Sequence, residues 1–333
     1  MSTRVTVLSG GVGGARFLQG LLHLVRSGGL GVSPEDVEVT VVSNTADDIW
    51  LHGLKICPDL DTVMYTLGGG IDAERGWGRT DETWRVKDEL TAYGVGPDWF
   101  GLGDRDLATH LVRTQMLDAG YSLSAVTEAL CARWQPGVRL LPMSDDRVET
   151  HVLVDDPDEA SGRRAVHLQE YWVRMRAAVP AHAVVVVGLE KATPAVGVLD
   201  ALREADVVVL PPSNPVVSVG TILGVAGVRD ALRATSAPVV GLSPIIGGHH
   251  VRGMAEQLLT AIGVEVSAAG VAEHYGARSA GGLLDGWLVD TADADLLDRV
   301  RATGMATSAV PLLMTDPEAT AAMARAALDL VGR

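Results

Sequence analysis

The strongest constraint on the fold is an alternation of short apolar runs with helical patterns. At the N-terminus, residues 5–9 predict a buried strand, residues 10–14 form a glycine-rich turn, and residues 15–27 predict an amphipathic helix. A second strand is predicted at residues 37–43. Further strands are predicted at 183–188, 206–210, 238–242, 283–289 and 307–313, and helices at 194–203, 221–232, 293–301 and 317–331. This alternation indicates an α/β fold, a Rossmann-like, doubly wound and mainly parallel sheet with helices on both faces.

One stretch interrupts the alternation. Helical patterns at residues 106–119 and 124–134 predict a mainly helical insertion over residues 61–134. The nucleotide-binding core then comprises residues 1–60 and 135–333. Within it, residues 149–155 predict another strand, and residues 167–176 fit either a strand or a helix.

Composition excludes several classes of function. The formal net charge of −15 argues against a broad nucleic-acid footprint or an anionic membrane surface, because both require clustered Lys and Arg. The longest apolar runs fall far short of the roughly 18 residues that a membrane span needs. Cys57 and Cys131 lack the spacing of a zinc or redox motif. With no charged leader before the first strand, we expect a soluble cytoplasmic protein that acts on a small molecule.

Four polar or small-residue loops follow predicted strands, at residues 10–14, 44–48, 211–215 and 243–248. In a parallel sheet with helices on both faces, ligands bind beyond the carboxyl ends of the strands. We therefore expect these four loops to meet at one edge of the sheet and form the ligand site.

The glycine turn suits an anion, because Gly11, Gly13 and Gly14 precede a helix N-terminus with free N–H groups. It is not a dinucleotide fingerprint, since Arg16 stands where the last glycine belongs, and no Lys-Ser/Thr of a P-loop follows. The second strand ends in Ser43-Asn44 instead of an acidic residue, which argues against a nicotinamide dehydrogenase. A tight turn that serves only helix packing is the alternative.

Two acidic segments follow the second strand, Asn44-Thr-Ala-Asp-Asp48 and Pro58-Asp-Leu-Asp-Thr62. One aspartate from each would suit Mg²⁺, which prefers carboxylates completed by water and substrate phosphates. The alternative is that Asp47 or Asp48, and Asp61, cap helix N-termini.

Three further segments carry candidate binding residues. Trp77 and Arg79 lie in Gly-Trp-Gly-Arg, which suits a planar ring on the indole with the guanidinium near an anion, or else a tryptophan that fills the core. Ser213 and Asn214 lie between prolines and present groups that suit a nucleobase edge. Arg147 is a phosphate candidate, although a plain turn explains its segment equally.

Taken together, seven motifs resemble those of the CofD family, with the closest likeness to its mycobacterial members. The motifs run nearly from end to end of the chain: Leu8-Ser-Gly-Gly-Val-Gly-Gly14, Asn44-Thr-Ala-Asp-Asp48, Pro58-Asp-Leu-Asp-Thr62, Gly101-Leu-Gly-Asp-Arg-Asp-Leu-Ala-Thr-His110, Leu141-Pro-Met-Ser-Asp-Asp146, Pro212-Ser-Asn-Pro215 and Ser243-Pro-Ile-Ile-Gly247.

The resemblance implies a transferase of coenzyme F-420 biosynthesis. Members of the family join the deazaflavin Fo to a three-carbon acid through a phosphodiester, using a guanosine-diphosphate-activated donor and releasing GMP. The donor carries either enolpyruvate or lactate, and the products are dehydro-F-420-0 or F-420-0. The resemblance also implies a homodimer that works downstream of a guanylyltransferase.

Site roles follow from the same resemblance. Asp48 and Asp61 would hold Mg²⁺, and Asp61 would also orient the attacking ribityl hydroxyl of Fo. Donor binding is expected from the residues of the turn and two strand-end loops, namely Gly11, Gly13, Gly14, Asn44, Ser213, Asn214 and Pro215. Fo is expected to contact Asp61, Thr62, Trp77 and Arg79, and Arg147 a phosphate.

Two other classes stay open at this point. One is a binding protein without turnover, like the related YvcK-like proteins that bind nucleotide sugars and act in regulation. The other is a nicotinamide dehydrogenase, against which the glycine turn and the end of the second strand both argue.

Overall fold

A computed structural model describes residues 2–333 of the chain. Its strands are β1 Thr3–Ser9, β2 Val37–Ser43, β3 Ile49–Leu51, β4 Leu54–Ile56, β5 Arg139–Pro142, β6 Glu149–Asp155, β7 Arg163–His167, β8 Ala181–Val187, β9 Val207–Leu210, β10 Val239–Leu242, β11 Ile245–Ile246, β12 His249–His250, β13 Gly286–Val289 and β14 Ala306–Ala309. Its α-helices are α1 Gly11–Arg26, α2 Pro58–Leu67, α3 Arg85–Ala92, α4 Asp104–Asp118, α5 Leu123–Trp134, α6 Val198–Arg203, α7 Val219–Gly224, α8 Val228–Ala234, α9 Ala255–Ala261, α10 Ala268–Tyr275, α11 Leu297–Ala302 and α12 Pro317–Leu330.

Seven strands form one parallel sheet in the order β14-β13-β10-β9-β1-β2-β5. From β1, the chain first builds outward through β2 and β5, then returns to the other side and continues through β9, β10, β13 and β14. The predicted α/β fold with a doubly wound parallel sheet is confirmed. The order reverses between β1 and β9, which is where such folds open a crevice for ligands.

The two faces of the sheet are covered by different helices. In β1, Val5 and Val7 pack on the face that α1 and α12 cover, whereas Leu8 packs on the face of α6, α7, α8 and α10. Successive side chains of a strand point to opposite faces, so an uninterrupted apolar run is what burial on both faces requires. This explains why the central strands have no polar alternation.

Three predictions of secondary structure are corrected. The strand predicted at residues 183–188 is β8, which ends at Val187 and belongs to a separate antiparallel sheet of order β7-β6-β8; an apolar run in the sequence does not reveal its pairing partner. The helix predicted at 221–232 is two helices, α7 and α8, separated at Gly227, whose φ of 81° no continuous helix allows. Residues 293–301 begin as a 3-10 turn, Thr291–Leu296, before α11.

Between β4 and β5 the chain forms the helices α2 to α5 and adds no strand to the main sheet. The ambiguous segment at 167–176 contains a short π-helical turn, Glu170–Arg174, after β7. Across residues 2–333, no helix is both long enough and apolar enough to cross a membrane.

Candidate active site

A cavity of about 610 Å³ opens at the carboxyl ends of the central strands. The loops after β1, β2, β9 and β10 all contribute to its lining, through Gly10, Asp47, Pro212 and Ser243 among others. These four strands are neighbours in a parallel sheet, so their carboxyl ends share one edge. The expectation that the four loops meet there is confirmed, and the volume is typical of a small-molecule site.

The loops after β1 and β9 touch each other across the crevice. The Ser213 hydroxyl donates to the Gly10 carbonyl oxygen at 3.0 Å. A Cβ at Gly13 would clash with the carbonyl oxygen of Pro212, and one at Gly14 would come within 2.8 Å of the Ser213 hydroxyl. Glycine is therefore needed at positions 13 and 14 for the close approach of these two loops, which fixes the width of the crevice.

The predicted site residues divide into two groups. Those that line the cavity are Gly11, Gly13, Asp61, Thr62, Trp77, Ser213 and Asn214. Those that do not line it, in the part of the chain that the structure describes, are Gly14, Asn44, Asp48, Arg79, Arg147 and Pro215.

Asn44 does not line the cavity but contacts Asp59, which does. Its Nδ2 donates to Asp59 Oδ2 at 2.9 Å, and its Oδ1 accepts from the Ala46 N–H at 3.0 Å and the Thr221 hydroxyl at 2.7 Å. Both polar atoms of the amide are thus used within the protein. Asn44 joins the β2 loop to α2 and α7 and orients Asp59, which itself lines the cavity.

Asp47 and Asp59 form a buried pair of carboxyls at the cavity. Burial, reinforced by the charge of Asp59, raises the pKa of Asp47 well above its usual value. Burial also raises the pKa of Asp59, to about 7, despite the hydrogen bond from Asn44. Removing a carboxylate from water disfavours its charged form unless something replaces the lost hydration. A bound cation would do so here.

Asp48 does not line the cavity. Its Oδ2 lies 3.0 Å from the Lys55 ammonium, and both side chains are buried. Of the two adjacent aspartates, the structure therefore brings Asp47 to the cavity and uses Asp48 in an internal ion pair. Sequence could not separate them, because the backbone of an irregular loop decides which neighbour points inward.

Asp61 lies on the cavity wall beside an arginine from α4. Arg113 Nη2 donates to Asp61 Oδ1, and His110 Nδ1 lies 3.8 Å from Asp61 Oδ2. Burial still raises the pKa of Asp61 above its usual value, against the lowering effect of the Arg113 charge. Asp61 Oδ2 is buried without a hydrogen-bond partner among the described residues.

The donor atoms present fit a divalent cation shared with a ligand. Asp47 Oδ1 and Asp61 Oδ2 are both buried, lack hydrogen-bond partners within residues 2–333, and belong to residues that line the cavity. Nowhere in that range do three or more His, Cys, Asp or Glu side chains converge as a self-sufficient metal site. Two carboxylates completed by water and phosphate oxygens are the usual environment of Mg²⁺.

Aromatic and basic residues also line the cavity. Trp77 lines the cavity, 43% exposed, and the Arg75 guanidinium lies 5.4 Å from its ring centroid and 5.6 Å from that of Trp84. Arg252, which also lines the cavity, donates to the Arg75 carbonyl oxygen at 2.5 Å. The arginine that lines the cavity here is thus Arg252, from the loop after β12.

The other predicted arginines lie elsewhere. Arg79 stacks on Trp134 at 4.9 Å and donates to the Arg105 carbonyl oxygen at 3.0 Å. Arg147 has a side chain that is 69% exposed and is paired with Glu149. Neither guanidinium lines the cavity, because Arg79 is held by Trp134 and the Arg105 carbonyl oxygen and Arg147 by Glu149.

Sequence reasoning missed several residues of the wall. Arg16 lines the cavity from the first turns of α1, and Asp59, Asp106 and His110 line it from α2 and α4. Asp59 lies in the same acidic segment as Asp61, and α4 begins within the motif 101–110. The sequence signal for these residues was therefore that they lie in or beside the motifs 58–62 and 101–110. That the two motifs contact each other depends on how α4 packs in the fold.

Comparisons with known proteins bear on the whole chain. Residues 5–326 match the family described as 2-phospho-L-lactate transferase CofD. A protein named phosphoenolpyruvate transferase from Streptomyces griseus is 65% identical over 327 residues, 98% of each chain, and one from Mycolicibacterium smegmatis is 61% identical over 329 residues, 99% of each chain. Protein BH3568 from Bacillus halodurans has a similar fold, with a TM-score of 0.61 and 18% identity over 98% of this chain and 99% of that one.

Proposed function

Since this chain belongs to the CofD family, as the motifs indicated, we propose that it is a phosphoenolpyruvate transferase of coenzyme F-420 biosynthesis. Its relatives of that name are 60–65% identical over nearly the whole chain. The structural observation that carries the proposal is a cavity at the switch point of the sheet whose lining combines buried carboxylates with Trp77, Arg16 and Arg252. We propose further that the donor is a guanosine-diphosphate-activated enolpyruvate and the acceptor is Fo.

The donor fits along the crevice between β1 and β9. The N-terminus of α1, at Gly11 and Gly13, offers N–H groups to phosphate oxygens, and Arg16 lies one turn further along the same helix. Asn214 lines the cavity from the β9 loop, and because its Oδ1 already accepts from the Val216 and Val217 N–H groups, its Nδ2 is the group that would reach the guanine edge. The nucleotide half of the donor would therefore lie across the switch point.

The acceptor fits between the carboxylates and Trp77. The deazaflavin ring would stack on Trp77, with Thr62 beside its ribityl chain. Its terminal hydroxyl would donate to Asp61, and the hydroxyl oxygen would attack the phosphorus that carries enolpyruvate. The P–O bond to GMP breaks as the new one forms, and the hydroxyl proton leaves to Asp61 or water.

A divalent cation completes this arrangement. We propose that Asp47 and Asp61 would hold Mg²⁺, since both line the cavity and have a buried oxygen without a hydrogen-bond partner, whereas Asp48 does not line the cavity and its Oδ2 lies 3.0 Å from the Lys55 ammonium. When bound, Mg²⁺ would neutralise charge on the donor diphosphate as GMP leaves. We also expect a homodimer that acts after a guanylyltransferase, which analytical ultracentrifugation and a coupled reaction would test.

The experiment is mass spectrometry of the product formed from Fo, Mg²⁺ and a donor generated in situ from GTP by a guanylyltransferase. Phosphoenolpyruvate and phospholactate are supplied in parallel reactions. We expect dehydro-F-420-0 and GMP from the first. Product from phospholactate alone would reassign the donor, and no product from either would contradict the proposed transfer.

A further inference from the structure

We propose that Arg113 is a positioning residue, which holds one oxygen of Asp61 so that the other is left for a ligand in the cavity. This inference rests on the proposed function, in which Asp61 contacts the reacting groups. Arg113 itself does not line the cavity. It would act entirely through Asp61.

The Arg113 guanidinium is fixed from three sides. The side chain is among the largest that are fully buried, with 1% of the residue exposed. Its Nη2 donates to Asp61 Oδ1, while Nη1 donates to the Lys55 carbonyl oxygen at 3.3 Å and faces His110 Nδ1 at 3.1 Å. A planar fork held at both nitrogens cannot rotate without losing contacts, so the Asp61 carboxylate is held in one orientation.

The same arrangement assigns the proton of His110. A guanidinium can only donate, so Nδ1 of His110 accepts and the ring proton of the neutral imidazole lies on Nε2. Nε2 lies 3.3 Å from Asp106 Oδ2 without a hydrogen bond to it, and Asp106 Oδ1 accepts from the Tyr65 hydroxyl at 2.6 Å. The polar chain thus returns to the cavity, because Asp106, His110 and Tyr65 all line it.

A comparison with another buried aspartate separates positioning from plain structural pairing. Asp290 is equally buried, and both of its oxygens accept backbone N–H groups, Oδ1 from Ala292 at 2.9 Å and Oδ2 from Leu312 at 2.7 Å. Asp61 differs because its Oδ2 has no hydrogen-bond partner among the described residues. Buried polar atoms are normally satisfied, so an oxygen left over on a cavity wall indicates a group that a ligand supplies.

The inference predicts a particular kinetic pattern. Substrate is bound mainly by other residues, so the loss of Arg113 should leave KM nearly unchanged. The free oxygen of Asp61 would no longer be aimed, and a misplacement of about 1 Å in a reacting group lowers the rate by about 100-fold. The effect should therefore fall on kcat.

The test compares Arg113→Met and Arg113→Lys with Arg278→Met as the matched control. Arg278 is also largely buried and pairs with Asp285, but it lies at the amino ends of β10 and β13, the edge opposite the cavity. We expect Arg113→Met to lower kcat about 100-fold with KM within about threefold. Arg113→Lys should lower kcat about tenfold, because an ammonium lacks the fork. Arg278→Met should lower Tm without changing kcat.

Crystal structures of the two Arg113 variants provide a readout that does not depend on turnover. We expect the Asp61 carboxylate to turn away from its present orientation. A folded variant with kcat near that of the wild-type protein, or with Asp61 unmoved, would overturn the inference. If Arg113→Met does not fold, Arg113→Lys decides the question in the same way. If the wild-type protein itself forms no product, the proposed function fails, and the position of Asp61 alone decides the role of Arg113.

Discussion

Two arginines of this protein make similar ion pairs in opposite surroundings. Arg113 pairs with Asp61 at the cavity, and both side chains are buried. The side chain of Arg299, in contrast, is 39% exposed and lies 2.7–2.9 Å from Glu265 and Glu273. At the surface, hydrogen bonds from Arg299 lower the pKa of Glu265 to about 2. At the cavity, burial outweighs the pairing, and the pKa of Asp61 is raised.

The difference shows which acidic side chains lack full stabilisation from the protein itself. The acids around Arg299 are satisfied by the protein itself. The acids at the cavity, with Asp47 and Asp59 beside Asp61, are only partly satisfied and lie in a medium that disfavours their charge. Such groups gain most when a cation or a hydrogen-bond donor arrives, which is the behaviour of a binding site.

The largest expected difference between the two regions concerns turnover. Asp61→Ala should lower the transfer rate by about 1000-fold or more, because it removes both a proposed metal ligand and the group that orients the hydroxyl. The protein should remain folded by circular dichroism. Glu265→Ala is the matched control and should turn over at the wild-type rate. Near-normal turnover by Asp61→Ala would remove the metal site from the account.

Asp47 and Asp48 sharpen the comparison within one loop. Asp47→Asn should raise the Mg²⁺ concentration for half-maximal turnover by about tenfold, since a neutral amide binds a hard cation poorly. Asp48→Asn should leave that concentration nearly unchanged and lower the free energy of unfolding by about 3 kcal/mol, because Lys55 would remain buried without its counter-charge. Magnesium titrations and urea denaturation measure the two effects. The reverse pattern would assign the metal to Asp48.

Asp59 should make the free energy of unfolding depend on pH. Its pKa is about 7 when folded against a usual value of 3.8, so the folded state binds the proton more tightly. Stability should therefore fall as pH rises from about 4 to about 7. In the presence of a chelator, Asp59→Asn should reduce this slope, to which Asp47 and Asp61 also contribute, and raise the free energy of unfolding at pH 8 by a few kcal/mol, since each tenfold change in proton affinity corresponds to about 1.4 kcal/mol. An unchanged slope in the variant would contradict the assignment.

The smallest effect is expected at the surface. Arg299→Ala should lower the free energy of unfolding by less than about 1 kcal/mol, and the loss should shrink further in high salt. Because the pKa of Glu265 is lowered from 4.5 to about 2, this stabilisation is present above pH 4.5 and disappears as pH falls toward 2. Thermal denaturation at several pH values and salt concentrations measures it. A larger effect than that of Asp59→Asn would reverse the ranking of the two regions.

The sequence predicts some of this site and not the rest, for physical reasons. The edge of the sheet was predictable, because parallel strands bring loops 10–14, 44–48, 211–215 and 243–248 together wherever they lie in the chain. Asp61 was predictable as an acid at the start of a helix. Its partner Arg113 was not, because 52 positions separate the two residues and only the tertiary position of α4, which packs on β4 and α5, brings them into contact.

Basic residues were the least predictable. Arg79 and Arg147 were predicted to contact ligand, yet the arginines that line the cavity are Arg16 and Arg252, which were not. An arginine side chain is long and flexible, so its guanidinium can pair with any acid, carbonyl oxygen or aromatic ring within reach, and the sequence does not show which one is near. Arg79 stacks on Trp134, and Arg147 pairs with Glu149.

The most direct test of the central claim is the anomalous difference map of a crystal soaked with Mn²⁺ and GDP. We expect a manganese peak in the cavity, within ligand distance of the Asp47 and Asp61 carboxylates, with the diphosphate at the N-terminus of α1. A peak beside Asp48, or bound nucleotide whose phosphates lie away from this edge of the sheet, would contradict it.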